Sequence, residues 1–473
     1  MVEQSGKGLD VMATTRRLER LSAADLYVLM WDDFGWSGDI GVLAVLDGTR
    51  LVDHDGHFRI GMVRRHVQSR LHLVPRFRQL LYRPRLGLGW PVWVDAQAFD
   101  LADHVRVRPL AVPADRAGLV QACEQLAQRR LDPSRPLWEL WLLPGLPGQR
   151  VGLFLKLHHA VADGVAGVAA FGALLDLAAD VVTPPAPPWT PTPVPTVGEL
   201  LRDNLSRPVQ GWNHAWSNLA HPSRTLAGIR HGWPTWREFF AEQRAPLTSL
   251  NRPIGAQRRL VTVGTRLELV KQIAHGHHAK VNDVVLTVVA GGLRELLGNR
   301  GEDLDQLTLR VMVPISLPRA DPGQALGNQD GWMMVPLPLG EPDAAARLQL
   351  IAAETAARKD RIHPQVGSGI FRFALAQRVF LRLFARQRLV NVTATNVAGP
   401  PVPLYLAGAP LLELFPVVSL VANLPLAVAA LSYAGQLTLT AVADTGSCGD
   451  VDVFAQGAQN TLDELTRALT AVS

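Results

Sequence analysis

The chain has 473 residues, of which 48% are hydrophobic and 19% charged. It can bury a large core, so wholesale disorder is excluded, and its length predicts two or three domains. The net charge is only +5, too small to argue for nucleic acid, and the Lys/Arg total is 5 Lys against 42 Arg, a bias that fits a GC-rich coding sequence. Two cysteines, Cys123 and Cys448, with no CxxC leave no disulfide scaffold or cysteine-built zinc site and fit a reducing cytosol. Met1–Arg20 is polar and has no apolar h-region, so no secretory signal is expected.

In chain order, Leu21–Ala179 mixes strand-like runs (Ile40–Leu46, Val151–Leu157) with helical ones (Leu119–Arg129, Val165–Leu177). Thr183–Thr196 reads TPPAPPWTPTPVPT; seven prolines forbid a helix and predict a stiff, extended join. A polar stretch follows to Arg252, with Trp212, Trp216, Trp233 and Trp236 among Arg and His. It suits either a packing arm or an interfacial helix. Beyond it, Arg259–Val263, Leu307–Val313 and Met333–Leu337 read as strands. Leu267–Ala274, Val281–Leu297 and Ala344–Arg358 read as helices. This mixture predicts an α/β (α+β) chain. The divisions are a flexible start (1–20), a first lobe (21–182), a linker with the Trp/Arg segment (183–252) and a second lobe (253–473).

Two later segments bear on lipid. Between Ile370 and Val390, Arg378, Arg382 and Arg386 share one helix face, beside a stripe of Phe371, Leu375, Val379 and Leu383. The pattern suits a basic amphipathic helix on a membrane, or a solvated Arg face over a core stripe. Leu414–Ala443 has no charged residue and is long enough to span a bilayer. Pro416, Pro425 and the closing alternation Gln436–Thr440 argue instead for buried sheet.

The sharpest local signal is His158-His159-Ala160-Val161-Ala162-Asp163-Gly164. The preceding apolar run reads as a buried strand and the following one as a helix, so the His pair sits on a strand end, a rigid place for a catalytic side chain. Imidazole titrates near neutrality and can take a proton from a hydroxyl. Asp163 can return to the loop, to an Arg or to the helix N-terminus as an N-cap, and Gly164 allows close approach. His275, His277 and His278 close a helical run with no nearby acid or Cys, so no metal site is expected. There is no GxSxG elbow, Walker loop or dinucleotide fingerprint.

HHxxxDG resembles the signature of the CoA-dependent acyltransferase superfamily, with its chloramphenicol-acetyltransferase-like fold. Within it the chain is similar to the bacterial wax ester synthase/diacylglycerol acyltransferase family. Leu21–Asp25, Leu131–Glu139, Val281–Leu286, Pro314–Leu317, Leu326–Gln329, Thr395–Pro400 and Leu404–Gly408 resemble that family's other blocks, in order. The departures are Gly38-Asp39-Ile40-Gly41 in place of a Met-His-Val-Gly-like stretch, Ala398 in place of Pro, and Val421–Pro425 in place of an Asp-Gly-rich turn. They lie outside the His motif and bear on acceptor preference.

The resemblance implies two such lobes with mixed sheets and a tunnel between them. Acyl-CoA would be a co-substrate, with no cofactor, and diacylglycerol or a long-chain alcohol the acceptor. His159 would be the proton acceptor, with no acyl-enzyme. His158 packs behind it or takes its place, and Asp163 is a structural orienter. Asn282 and Asp283 either line the site from the second lobe or cap the helix that follows. Pro136 and Trp138 would shape the wall of the substrate site. The enzyme would be cytoplasmic, with peripheral contact to membrane or lipid droplets. A condensation-type enzyme using a carrier-bound thioester and an inactive lipid-binding paralogue are the alternatives.

Overall fold

The computed structural model describes residues 18–85, 88–111, 115–182, 185–205, 244–316, 330–358 and 374–472. Trp212–Trp236, Leu317, Leu326–Gln329 and the start of the Ile370–Val390 segment lie outside them.

Helix α1 (Ala23–Trp31) begins at a capping box: Ser22 Oγ accepts from the Asp25 N–H, and the Asp25 carboxylate accepts from the Ser22 N–H. The Leu21–Asp25 block is thus a helix start. Strands β1 (Asp39–Asp47), β4 (Val105–Val107), β5 (Trp138–Leu146) and β6 (Arg150–His158) belong to a first six-stranded sheet. The hairpin β2 (Gln79–Tyr82) and β3 (Val92–Asp95) stands apart. Helices α2 (Ile60–Arg70), α3 (Arg116–Gln128) and α4 (Gly164–Ala173) complete this part of the chain.

Residues 185–196 form no helix or strand, as their prolines require. They are strapped down: Trp189 lies against Phe99, ring centroids 6.3 Å apart, and the Thr192 N–H donates to Asp95 at 2.9 Å.

The second sheet contains β7 (Arg258–Arg266), β8 (Thr308–Ser316), β9 (Asp330–Pro338), β10 (Val392–Ala398), β13 (Leu426–Tyr433) and β14 (Gln436–Asp444), in the order β7-β14-β13-β10-β8-β9. It is mixed, because β10 runs parallel to both β8 and β13 while the other pairs are antiparallel. Helices α5 (Leu267–Gly276), α6 (Val281–Asn299), α7 (Ala344–Arg358), α8 (Ala374–Phe384) and α9 (Val451–Val472) belong to this half. α6 is buried without a break from Asp283 to Leu293, so it behaves as a core helix rather than a surface one. A Cβ at Gly291 would lie 1.8 Å from Thr461 Oγ1, which is how closely α9 approaches it.

Chain order and sheet membership part at β11 (Tyr405–Leu406) and β12 (Ala409–Val417). Both fall in the second half of the chain, yet they extend the first sheet, in the order β11-β12-β1-β6-β5-β4. β12 pairs antiparallel with β1, Gly41 opposite Val417, and supplies it with a second partner besides β6. Both β12 faces meet protein. Leu414 packs in the first lobe's core, whereas Phe415 and Val417 join Leu43 and Phe154 to Leu260, Ala427 and Val442 of the second sheet. The charge-free Leu414–Ala443 run is therefore the end of β12 plus the β13–β14 hairpin, with a tight turn at Ala434 (φ 45°) and Gly435 (φ 82°). Among the described residues no helix is long and apolar enough to cross a membrane.

Candidate active site

β6 delivers the His pair to the junction of the lobes. Side chains alternate along it: Leu155, Leu157 and, just past its end, His159 line a cavity. Lys156 and His158 face the other way and are buried. Lys156 Nζ pairs with Asp39 at 3.0 Å and donates to the carbonyls of Leu126 and Arg129. That anchors the strand from behind.

His158 is held at both ring nitrogens. Nδ1 accepts from the Ala160 N–H at 3.1 Å, which leaves the hydrogen on Nε2, 3.2 Å from Asp32 Oδ2. The other oxygen of Asp32 accepts from the Gly38 N–H at 3.3 Å, and the Gly38 carbonyl accepts from the His159 N–H at 2.8 Å. Asp32, Gly38, His158 and the His159 backbone thus form one connected clamp. A Cβ at Gly38 would sit 2.6 Å from His158 Nε2, so any larger residue there must displace that ring. Burial by itself would raise the Asp32 pKa, but the hydrogen bond and charge of His158, with the Gly38 N–H and Arg130, hold it below the usual carboxylate value. No motif or spacing in the sequence singles out Asp32.

The His159 ring lies at the cavity wall, its centroid 6.2 Å from that of Trp31. Burial lowers its pKa below the ordinary imidazole value; the Asp163 carboxylate opposes this, and His158 adds to it. Asp163 is the N-cap of α4. Its Oδ1 accepts from the Ala166 N–H at 2.7 Å and its carbonyl from the Gly167 N–H at 2.6 Å. Of the three destinations open to this acid in the sequence, the helix N-terminus is the one realised. Gly164 lines the cavity and faces Val397 of β10, so the two lobes meet at the motif itself.

The cavity, about 360 Å³, is walled by both lobes. Ile40 and Val42 of β1, Phe171 of α4, Met312 of β8, Trp332 and Met334 of β9, and Phe380 and Phe384 of α8 are among its apolar residues. Tyr27, His159, Thr393, Thr395, Asn396 and Ser419 are among its polar ones. Such a site suits a long apolar ligand reacting at one polar point.

Four expected site residues lie elsewhere. Trp138 is buried in the first lobe's core, stacked between Phe77 and His104 at 4.6 and 4.7 Å, its indole N–H donating to the Phe77 carbonyl. Pro136 is buried beside it; neither lines the cavity. They back the site through Leu137, whose carbonyl accepts from the His158 N–H at 3.0 Å. Asn282 and Asp283 do not line the cavity either. Both Asp283 oxygens are engaged, one by the Lys280 N–H at 2.8 Å and one by the Thr355 hydroxyl at 2.7 Å, which is the helix-capping alternative. The second lobe's amide in the cavity is Asn396, from the Thr395–Pro400 block, where parallel pairing with β13 presents it.

Cys123 and Cys448 are buried and outside the cavity lining. Burial pushes both thiols up, Cys448 to about 11. Among the described residues, the one trio of ligand-type side chains close enough to share an ion is Asp53, Asp55 and His57. There Asp53 Oδ1 accepts from the N–H groups of Asp55 and His57, an ordinary Asx turn.

The wax ester synthase/diacylglycerol acyltransferase catalytic domain model matches residues 21–285, and the C-terminal domain model of the same family matches 326–466. Two Mycobacterium tuberculosis proteins with diacylglycerol O-acyltransferase names are similar along their length. One is 30% identical, covering 95% of this chain and 90% of its own, and the other, tgs1, is 29% identical over 90% of each. Among solved structures, the wax ester synthase/diacylglycerol acyltransferase of Marinobacter aquaeolei VT8 superposes with a TM-score of 0.69 at 22% identity, over 95% of this chain and all of its own. The starter condensation domain of rhizomide synthetase, solved with C8-CoA, superposes at 0.62 and 15% identity over 98% of this chain and 97% of its own. These likenesses show a shared two-lobed fold. With both family models matched in order on either side of one His-bearing cavity, the chain belongs to the wax ester synthase/diacylglycerol acyltransferase family and is an acyltransferase.

Proposed function

We propose that this acyltransferase moves a long-chain acyl group from acyl-CoA to the hydroxyl of diacylglycerol or a long-chain alcohol. The observation that carries the proposal is His159: an imidazole with a lowered pKa on the wall of a mostly apolar cavity. An imidazole kept neutral at physiological pH is ready to accept a proton. His159 takes the acceptor's hydroxyl proton while that oxygen attacks the thioester carbonyl. The tetrahedral oxyanion then collapses, the C–S bond breaks, and the CoA sulfur leaves with the proton returned by the imidazolium. No acyl-enzyme and no cofactor take part. Asp163 orients the loop and stabilises the imidazolium through its charge. His158, locked by Asp32, positions His159 rather than replacing it. Asn396 offers an amide for the oxyanion. The reaction runs in the cytoplasm, against membrane or lipid droplets.

The test is ester formation from labelled palmitoyl-CoA with diolein or hexadecanol, comparing wild type with His159→Ala. A general base contributes roughly 10²–10⁴-fold, so the variant should lose at least a hundredfold in kcat. Equal product from both proteins, or none from wild type with any acyl-CoA, overturns the reading.

A further inference from the structure

Of the two arrangements open to the amphipathic segment near Ile370–Val390, the structure does not realise the Arg face over a core stripe. On α8, Gln377 and Leu381 are buried and Phe380 and Phe384 line the cavity. The helix is fixed to α1 by the Gln377 side chain donating to the Ala23 carbonyl at 2.7 Å and by Phe380 against Tyr27. The opposite face runs through Leu375, Arg378, Val379, Arg382 and Leu383, with Arg386 just past the helix end, and every one of them is exposed. Leu375 is 76% exposed, Val379 48% and Leu383 72%. A helix whose inner face is already satisfied by the core has no folding reason to place leucines outward.

We propose that this outer face of α8 seats on an anionic lipid surface. Charge complementarity selects that occupant. From Ala374 to Arg388 there are four arginines and no acid. The charged group facing this side from the neighbouring element is Asp33, which Arg378 binds at 2.7 Å. Arg382, Arg386 and Arg388 remain exposed. Leucines flanked by arginines along about 16 Å of helix match a plane that is apolar beneath and anionic at its rim. A dissolved anion would meet the arginines and leave the leucines in water. Because Phe380 and Phe384 form cavity wall on the other side of the same helix, docking sets the cavity one helix thickness from the lipid that holds an apolar acceptor. This deepens the acyl-transfer reading by naming a partner surface, but the binding itself does not depend on turnover.

The experiment is flotation of the full chain with phosphatidylcholine vesicles, alone and mixed three to one with phosphatidylglycerol, at low and high salt. Wild type should float with the mixed vesicles, and less at high salt. Arg382→Gln with Arg386→Gln should weaken partitioning about 25-fold, taking roughly fivefold per arginine. Leu375→Ser with Leu383→Ser should reduce flotation at both salts. Turnover of a water-soluble short-chain acyl-CoA and alcohol by both variants serves as the folding control. Failure of wild type to float, or equal flotation by the variants, overturns the proposal. So does concentration-dependent self-association in place of vesicle binding, which would assign the face to a second copy. Vesicle binding by a wild type that makes no ester overturns the acyl-transfer reading and leaves the docking face standing.

Discussion

Asp32→Ala removes the acceptor at the centre of the clamp. In wild type the carboxylate holds His158 Nε2 at 3.2 Å and the Gly38 N–H at 3.3 Å. The substitution leaves both donors without it, and the His158 side chain is only 3% exposed, so water replaces the lost partner poorly. A hydrogen bond to a charged group contributes roughly 1.5–3 kcal/mol. The Asp32 side chain is 30% exposed, so screening moves the expected cost to about 1–2 kcal/mol. Because Gly38 also holds the His159 backbone, part of that cost should appear in the reaction. If all of it does, kcat falls about 5–30-fold, with the KM for acyl-CoA little changed. Asp32→Asn keeps a carbonyl that can accept from Nε2 but turns its NH2 toward the Gly38 N–H, so it should recover part of the loss. The assay is steady-state ester formation at saturating acyl-CoA, with urea unfolding beside it. A folded Asp32→Ala protein with wild-type kcat would refute the positioning role. A loss that Asn does not even partly restore would refute the hydrogen-bond account of it.

The remaining predictions use the same site and its supports. Burial lowers His159; burial and the Arg70 charge lower His66, against Asp176; burial lowers His104. Each binds its proton more weakly folded than unfolded, so stability is full above the ordinary imidazole value of about 6.5 and declines as pH falls below it toward the folded values. The acid limb of kcat/KM should likewise lie below about 6.5; half-loss of activity at or above that pH would contradict the neutral-base reading. Gly38→Ala forces the His158 ring off Asp32 and should cost about 1–3 kcal/mol by overpacking, read by urea unfolding; wild-type stability would show that the ring can yield. Asp283→Ala should destabilise by about 1–3 kcal/mol, by stranding the Lys280 N–H and the Thr355 hydroxyl, and leave KM within about twofold. A raised KM with unchanged stability would return Asp283 to the substrate site.

Local signals were legible because they depend on near neighbours. The apolar run of β6 and the Asp163-Gly164 helix start each act within a few residues, and they appear where the spacing predicts them. Asp32 was not legible. It lies 126 residues from His158 and meets it only through the β1–β6 register, in which Asp39 stands opposite His158. Trp138 sits in a motif block, and nothing in its sequence position says whether its ring turns to the cavity or to Phe77 and His104. Asp283 likewise reads equally as ligand or cap until α7 brings Thr355 to it.

The amino-acid order alone determined the class of elements, since periodicity and short-range capping are properties of contiguous residues, and the resemblance carried by HHxxxDG and its companion blocks implied the two-lobed plan. Tertiary structure alone decided which strands share a sheet, which face of α8 meets water and which polar groups share a cavity with His159. β12 shows the reason. Its sequence is as apolar as a second-lobe strand should be, and only the open edge of β1, a partner formed by residues more than 360 positions earlier, makes it part of the first sheet and closes the wall between the lobes.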